Sequence, residues 1–196
     1  MSTTPNPGKA GADSRIMATA ATLFARFGYN GVSTREIAVD AGVNEVTIYR
    51  HYPKKRDLYL AVLDTELSRV KLRGDLLAQI AGAIDARTAL THTFEMIASS
   101  LTERPELLRL LQYSSLELGE DITPMLRKHL GQLIEVLASY LQPWIASGEL
   151  RASNARALLL TLIAIVLSHR PLRQIFQADL ASHDVMFEAY AEFCVS

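Results

Sequence analysis

Cysteine is almost missing from this chain. Cys194 stands alone among 196 residues, which excludes an internal disulfide framework and fits a reducing, cytoplasmic setting. Long apolar runs are missing too. The longest, residues 157–167, is interrupted by Thr161 and falls short of the roughly 20 residues a membrane span needs, so no membrane partner is expected. The first thirteen residues, MSTTPNPGKAGAD, lack the apolar core of a secretory signal and read as a flexible tail. Catalytic and metal signatures are likewise lacking. There is no Gly-rich phosphate loop and no nucleophile elbow. His92, His129, His169 and His183 have no ligand spacing. No metal, no cofactor and no enzymatic activity are therefore expected. Cys194 reads as a packing residue, since no neighbour in sequence would lower its pKa.

What is present belongs to a soluble globular chain: 49% apolar and 21% charged residues, enough for one or two compact domains. The net charge is −1, but it is unevenly spread. Residues 1–60 hold eight Lys/Arg against five Asp/Glu, a balance of +3, and the remainder holds twelve against sixteen, a balance of −4. A basic first third suggests that one end alone meets an anionic partner.

Alternating strand patterns do not occur, and the periodicity is helical throughout, so the fold class is all-α. Ile16, Ala20, Leu23, Phe24 and Phe27 recur at helical spacing over residues 14–27, and Gly28 supplies a stop. Ser33 and Glu36 form a capping box that opens a short second helix at Thr34. Gly42 ends it. Asn44 is a good N-cap for a third helix, which must stop before Pro53. A long helix is expected from Lys55 toward residue 80, followed by helices near 86–102, 105–118, 122–147, 153–169 and 183–195. Pro143 should kink the 122–147 helix or divide it, and Pro171 should end or kink its successor.

Residues 33–52, STREIAVDAGVNEVTIYRHY, have the makings of a helix-turn-helix. Ala38 is small where two helices would touch, and Gly42 permits the positive φ of a tight turn. Ile37, Ala41, Val43 and Ile48 can form a shared core, with Glu45, Thr47, Tyr49 and Arg50 projecting outward. A generic helical hairpin satisfies the same spacing. The longer string TREIAVDAGVNEVTIYRHYPKKRDLYLAVL, preceded by LFARFGYNGVST, resembles the DNA-binding domain of the TetR/AcrR family of bacterial regulators. The matching positions are Thr34-Arg35, Ile37-Ala38, Ala41-Gly42-Val43, Thr47-Ile48-Tyr49, Tyr52, Lys55 and Leu58.

The resemblance covers residues 14–63 and implies a three-helix DNA-binding head. Residues 64–196 would then form a helical regulatory and dimerisation domain, and residues 1–13 the tail. Thr34 and Arg35 open the second helix, where a phosphate is favoured. Tyr49 and Lys55 match the family's phosphate-contacting positions. Asn44, Glu45, Val46, Thr47, Arg50 and His51 are the candidates to face base edges and nearby backbone, although His51 has the alternative of packing inward. Glu45 either favours its helix dipole or accepts from a cytosine amino group. Lys54 departs from the family, which commonly places a small capping residue there, and this puts the start of the fourth helix in question.

The implied partners are a double-stranded DNA operator, a second copy of the chain through the two C-terminal helices, and a small-molecule effector. The stretch ARALLLTLIAIVLS is apolar on almost every face, which suits an interface of that kind. Phe94, Tyr113, His129, Tyr140 and Trp144 are candidate lining residues for an apolar or aromatic ligand, with plain core packing as the alternative. The expected function is a cytoplasmic repressor, nucleoid-associated when bound, released from a pseudo-palindromic operator by that ligand. The competing readings are a ligand-independent architectural DNA-binding protein and, less favoured, a helical enzyme.

Overall fold

A computed structural model of the protein describes residues 7–71, 73–176 and 183–195. Among them the chain forms ten α-helices: α1 (Pro7–Phe27), α2 (Thr34–Ala41), α3 (Glu45–His51), α4 (Lys55–Ser68), α5 (Gly74–Ala81), α6 (Ala86–Thr102), α7 (Pro105–Glu117), α8 (Thr123–Ala146), α9 (Ala155–Phe176) and α10 (His183–Cys194). A 3-10 turn, Gly119–Ile122, follows α7. The β-type pairing among these residues is a single antiparallel bridge between Leu150 and Val195. The all-α reading holds.

Three local expectations change. The first helix starts at Pro7 rather than near Ser14, and proline suits a first turn, where its missing N–H would have had no helical partner. The second half of the expected tail is thus helical, while residues 1–6 lie outside the described residues. The helix expected over residues 55–80 is two helices, α4 and α5. Between Leu67 and Ile80 no described residue is buried, so packing does not hold this stretch helical, and Gly74 disfavours helix by about 1 kcal/mol relative to Ala. Finally, of the alternatives read at the two prolines, division at Pro143 and termination at Pro171 are excluded, because α8 is one helix through Pro143 and α9 continues past Pro171. At Pro143 the loss is local, because Leu141 is fully buried and Tyr140, Trp144 and Ile145 pack against the core on either side.

The described residues divide into two compact units, Met1–Arg69 with Pro105–Leu126, and Val70–Arg104 with Arg127–Ser196. In the first, α1, α2, α3, α4 and α7 enclose Ile16, Phe24, Ile37, Ile48, Leu58, Tyr59, Leu63, Leu107 and Leu110, all fully buried. Phe24 meets Tyr59 edge-on at 4.9 Å between ring centres, and Tyr59 meets Tyr29 at 5.4 Å. In the second, α6, α8, α9 and α10 contribute Leu90, Phe94, Met96, Leu141, Leu159, Leu162, Phe187 and Ala191 to one continuous apolar core. Cys194 is buried there as a free thiol, in keeping with its reading as a packing residue. Among the described residues no helix is long and apolar enough to cross a membrane.

Candidate nucleic-acid interface

The helix pair is built by short-range chemistry. The Ser33 hydroxyl accepts from the Glu36 amide at 3.2 Å, and the Glu36 carboxylate accepts from the Ser33 amide at 2.7 Å, completing the capping box. The Ser33 hydroxyl also donates to this carboxylate at 2.7 Å, and that bond, followed by the one from the Ser33 amide, holds the Glu36 carboxyl below its ordinary pKa. Gly42 closes α2 in the left-handed region at φ 62°, a conformation that strains residues with a Cβ. The Asn44 side chain accepts from the Val46 amide at 2.9 Å and opens α3. Ile37, Ala38, Ala41 and Ile48 are buried where the two helices meet, and Val43 is half-buried.

This packing decides what α3 presents. Asn44, Val46, Tyr49 and Arg50 are exposed, Val46 at 73%. Arg35, at the start of α2, is exposed as well. Glu45 and Thr47, read from sequence as outward, are half-buried, and Thr34 is buried. The Thr34 hydroxyl donates to Glu45 Oε1 at 2.6 Å and lies 2.9 Å from the Tyr49 hydroxyl. One buried threonine therefore joins α2 to two successive turns of α3.

His51 sits on the inward side. Its ring is half-buried with Nδ1 3.6 Å from the Asp13 carboxylate of α1, so the structure places it against the first helix rather than among the outward side chains. Asp13 also accepts from the Tyr52 hydroxyl at 2.8 Å. Burial, and then this bond to Asp13, raise the Tyr52 phenol well above its ordinary pKa.

Lys55 has close partners within the fold. Its ammonium donates to the carbonyls of Tyr29 at 2.8 Å and Val32 at 3.0 Å, and stands 4.2 Å from the centre of the Tyr29 ring. The opposite side of the same loop is held by α7, where Glu117 accepts from the Tyr29 amide at 2.6 Å and the Asn30 amide at 3.4 Å. A Cβ at Gly28, whose φ is 76°, would come within 3.0 Å of Glu117 Oε1 and 3.2 Å of the Tyr113 ring. Glycine is thus needed there for both conformation and approach. Asp13, Tyr29 and Glu117 were not singled out from sequence. Gly28 was read from sequence only as a helix stop, and nothing local to residues 28–32 points to an acid 88 positions away.

The start of α4 is secure despite Lys54. Lysine offers no acceptor, yet its own amide donates to the Asp57 carboxylate at 3.0 Å, which supplies one half of a capping box. Beside it, Arg56 pairs with Asp121 at 2.8 Å.

The five residues read as a ligand pocket do not gather in one unit. Phe94 is buried and stacked on Phe187 at 4.2 Å between ring centres. Tyr140 and Trp144 are half-buried against the same core. His129 belongs to that unit and is half-buried, whereas Tyr113 belongs to the other. Core packing is the position in which Phe94, Tyr140 and Trp144 are found. A cavity of about 360 Å³ in the second unit is lined instead by polar residues including Glu135, Gln142, Asn154 and Arg156.

Residues 16–62 match the family described as bacterial regulatory proteins, tetR family. An HTH-type transcriptional regulator of Mycobacterium tuberculosis is 30% identical over 154 residues, covering 79% of this chain and 77% of the relative. The HTH-type transcriptional regulator YvkB of Bacillus subtilis is 26% identical over 140 residues, 71% of each chain. Among solved structures, a TetR-family transcriptional regulator of Agrobacterium tumefaciens superposes with a TM-score of 0.68 at 20% identity, covering 96% of this chain and 100% of that one.

Proposed function

From the premise that the chain belongs to the TetR family of bacterial transcriptional regulators, we propose that it is a homodimeric repressor that leaves a pseudo-palindromic operator when a small apolar or aromatic effector binds. Members of this family are DNA-binding regulators of transcription and not enzymes. The observation that carries the reading is the outward face of α3. Asn44, Val46, Tyr49 and Arg50 stand exposed on a helix whose other side is capped and packed against α2. That face is the part that enters the major groove, with Arg50 reaching a guanine edge or a phosphate and Thr47 the adjoining backbone. Arg35 and Tyr49 contact phosphate, and Lys55 joins them through the third N–H of its ammonium.

The dimer is proposed to form through α9 and α10. Leu160, Ile175, Val185 and Phe193 are exposed on these helices, Phe193 at 78%, and apolar surface of this kind favours a partner. A two-fold dimer places its recognition helices about 34–36 Å apart, one turn of DNA. The working location is the cytoplasm, on the nucleoid when DNA is bound. An effector at Phe94, Tyr140 and Trp144 enters by displacing core contacts, and it releases DNA because it binds the DNA-free conformation better.

Footprinting on the region upstream of the gene tests the regulator reading. A protected pseudo-palindrome bound by a species of twice the 21.7 kDa chain mass is the expected result. A monomer that occupies the whole site would overturn the dimer. Quenching of Trp144 emission, accompanied by loss of the footprint, tests the effector. An architectural protein would instead bind without a defined site and without release by any compound screened.

A further inference from the structure

The Thr34, Glu45 and Tyr49 cluster fixes the direction of its own hydrogen bonds. Glu45 as a carboxylate can only accept, so the single proton of the Thr34 hydroxyl is committed to Glu45 Oε1 at 2.6 Å. With that proton used, the 2.9 Å bond between Thr34 and Tyr49 has Tyr49 as its donor. The Thr34 proton therefore points at Glu45 and the Tyr49 proton at the buried Thr34 oxygen. A DNA phosphodiester also only accepts. Tyr49, 46% exposed on α3, meets an incoming phosphate with an oxygen whose proton is already engaged.

We propose that Glu45 is a positioning residue that sets the direction of this relay, weakening the phosphate contact of Tyr49, and is not primarily a reader of bases. This rests on the reading of α3 as the DNA-contacting helix. When DNA binds, the Tyr49 hydroxyl must turn outward and give up its bond to Thr34, so part of the charge-assisted bond it gains is offset by the bond it loses. Glutamine at position 45 permits the opposite polarity. Its amide donates to Thr34, Thr34 donates to the Tyr49 oxygen, and the Tyr49 proton faces the phosphate before DNA arrives. The relay is sequence-independent, because phosphate contacts position a protein without reading the bases.

The test is a double-mutant cycle of Glu45→Gln and Tyr49→Phe, read as the dissociation constant for two duplexes. One is selected from a randomised library by the wild-type protein, and the other is the same duplex scrambled and measured at low salt. Glu45→Gln is expected to tighten binding to both by roughly tenfold. Tyr49→Phe should cost roughly tenfold in the Glu45→Gln background but no more than about threefold in wild type. Thermal melting of each variant checks that the head stays folded. Equal tightening by Glu45→Gln with and without the Tyr49 hydroxyl would reduce the effect to simple charge removal and overturn the relay. Loss of preference at one C·G position would assign Glu45 to base readout and overturn it too. Wild-type binding that Glu45→Gln leaves unchanged defeats this inference alone. No duplex binding by wild type defeats the regulator reading and this inference with it.

Discussion

The helix pair around Gly42 and the apolar unit around Phe94 are held together by different means. In the first, Ser33, Glu36, Asn44, Thr34 and Glu45 spend their polar groups on helix ends and on one another, while a small core of Ile37, Ala38 and Ile48 fixes the crossing. In the second, α6, α8, α9 and α10 are joined by a broad apolar core with Phe94 stacked on Phe187. The difference suits the two tasks proposed for them. A surface that meets a polyanion must keep polar groups in defined directions, which caps and side-chain bonds achieve. Apolar packing is non-directional, so it tolerates exchange of contacts with a ligand or a second chain.

The sharpest way to break this comparison is Phe94→Ala. A buried aromatic cut to alanine is expected to cost about 3–5 kcal/mol, read from urea unfolding. A cost under about 1 kcal/mol would mean that the region around Phe94 is not packed as a core.

Next in size is Lys55→Met, which keeps the aliphatic stem but removes the donor to the Tyr29 and Val32 carbonyls. A loss of about 1–3 kcal/mol is expected, together with weaker binding to every duplex and a salt slope lower by about one unit. An unchanged unfolding midpoint with an altered slope would make Lys55 a phosphate contact alone. The reverse pattern would confine it to the loop.

Ser33→Ala removes one bond of the capping box and should cost about 1 kcal/mol, measured by thermal unfolding. The smallest effect concerns acid. The folded-state pKa of Glu36 is lowered, so its contribution is present above the unfolded carboxylate range and is lost as pH falls through the folded value. The stability gap between wild type and Glu36→Gln should therefore close on acidification. A gap that widened at low pH would show that the Ser33 bonds do not favour the ionised form.

The helix boundaries legible in the sequence were those written by neighbouring residues. Ser33 with Glu36, Gly42, Asn44 and the glycines at 28, 119 and 148 end or begin helices where their spacing indicates. These signals act over a few residues, which is why they can be read without a fold. The division of residues 55–80 was not legible, because the apolar positions continue at helical spacing, and Gly74 breaks the helix only where burial does not hold the stretch between Leu67 and Ile80.

Within the interface the exposure of Tyr49 and Arg50 followed from the register of α3 once Asn44 was taken as its cap, whereas Glu45 and Thr47, read as outward by the same register, are half-buried. The destinations of Glu45, His51 and Lys55 did not follow from it. Thr34 and Glu45 are 11 residues apart, Lys55 and its carbonyl partners 23 and 26, and Glu117 and the loop it holds 87 and 88. The sequence by itself determined the helical class, the caps and the helix-turn-helix, since those depend on periodicity and on bonds between near neighbours. Tertiary structure alone decided which polar side chains remain available to DNA. A charged group takes whichever partner the fold brings within about 3 Å, and separation along the chain carries no record of that approach.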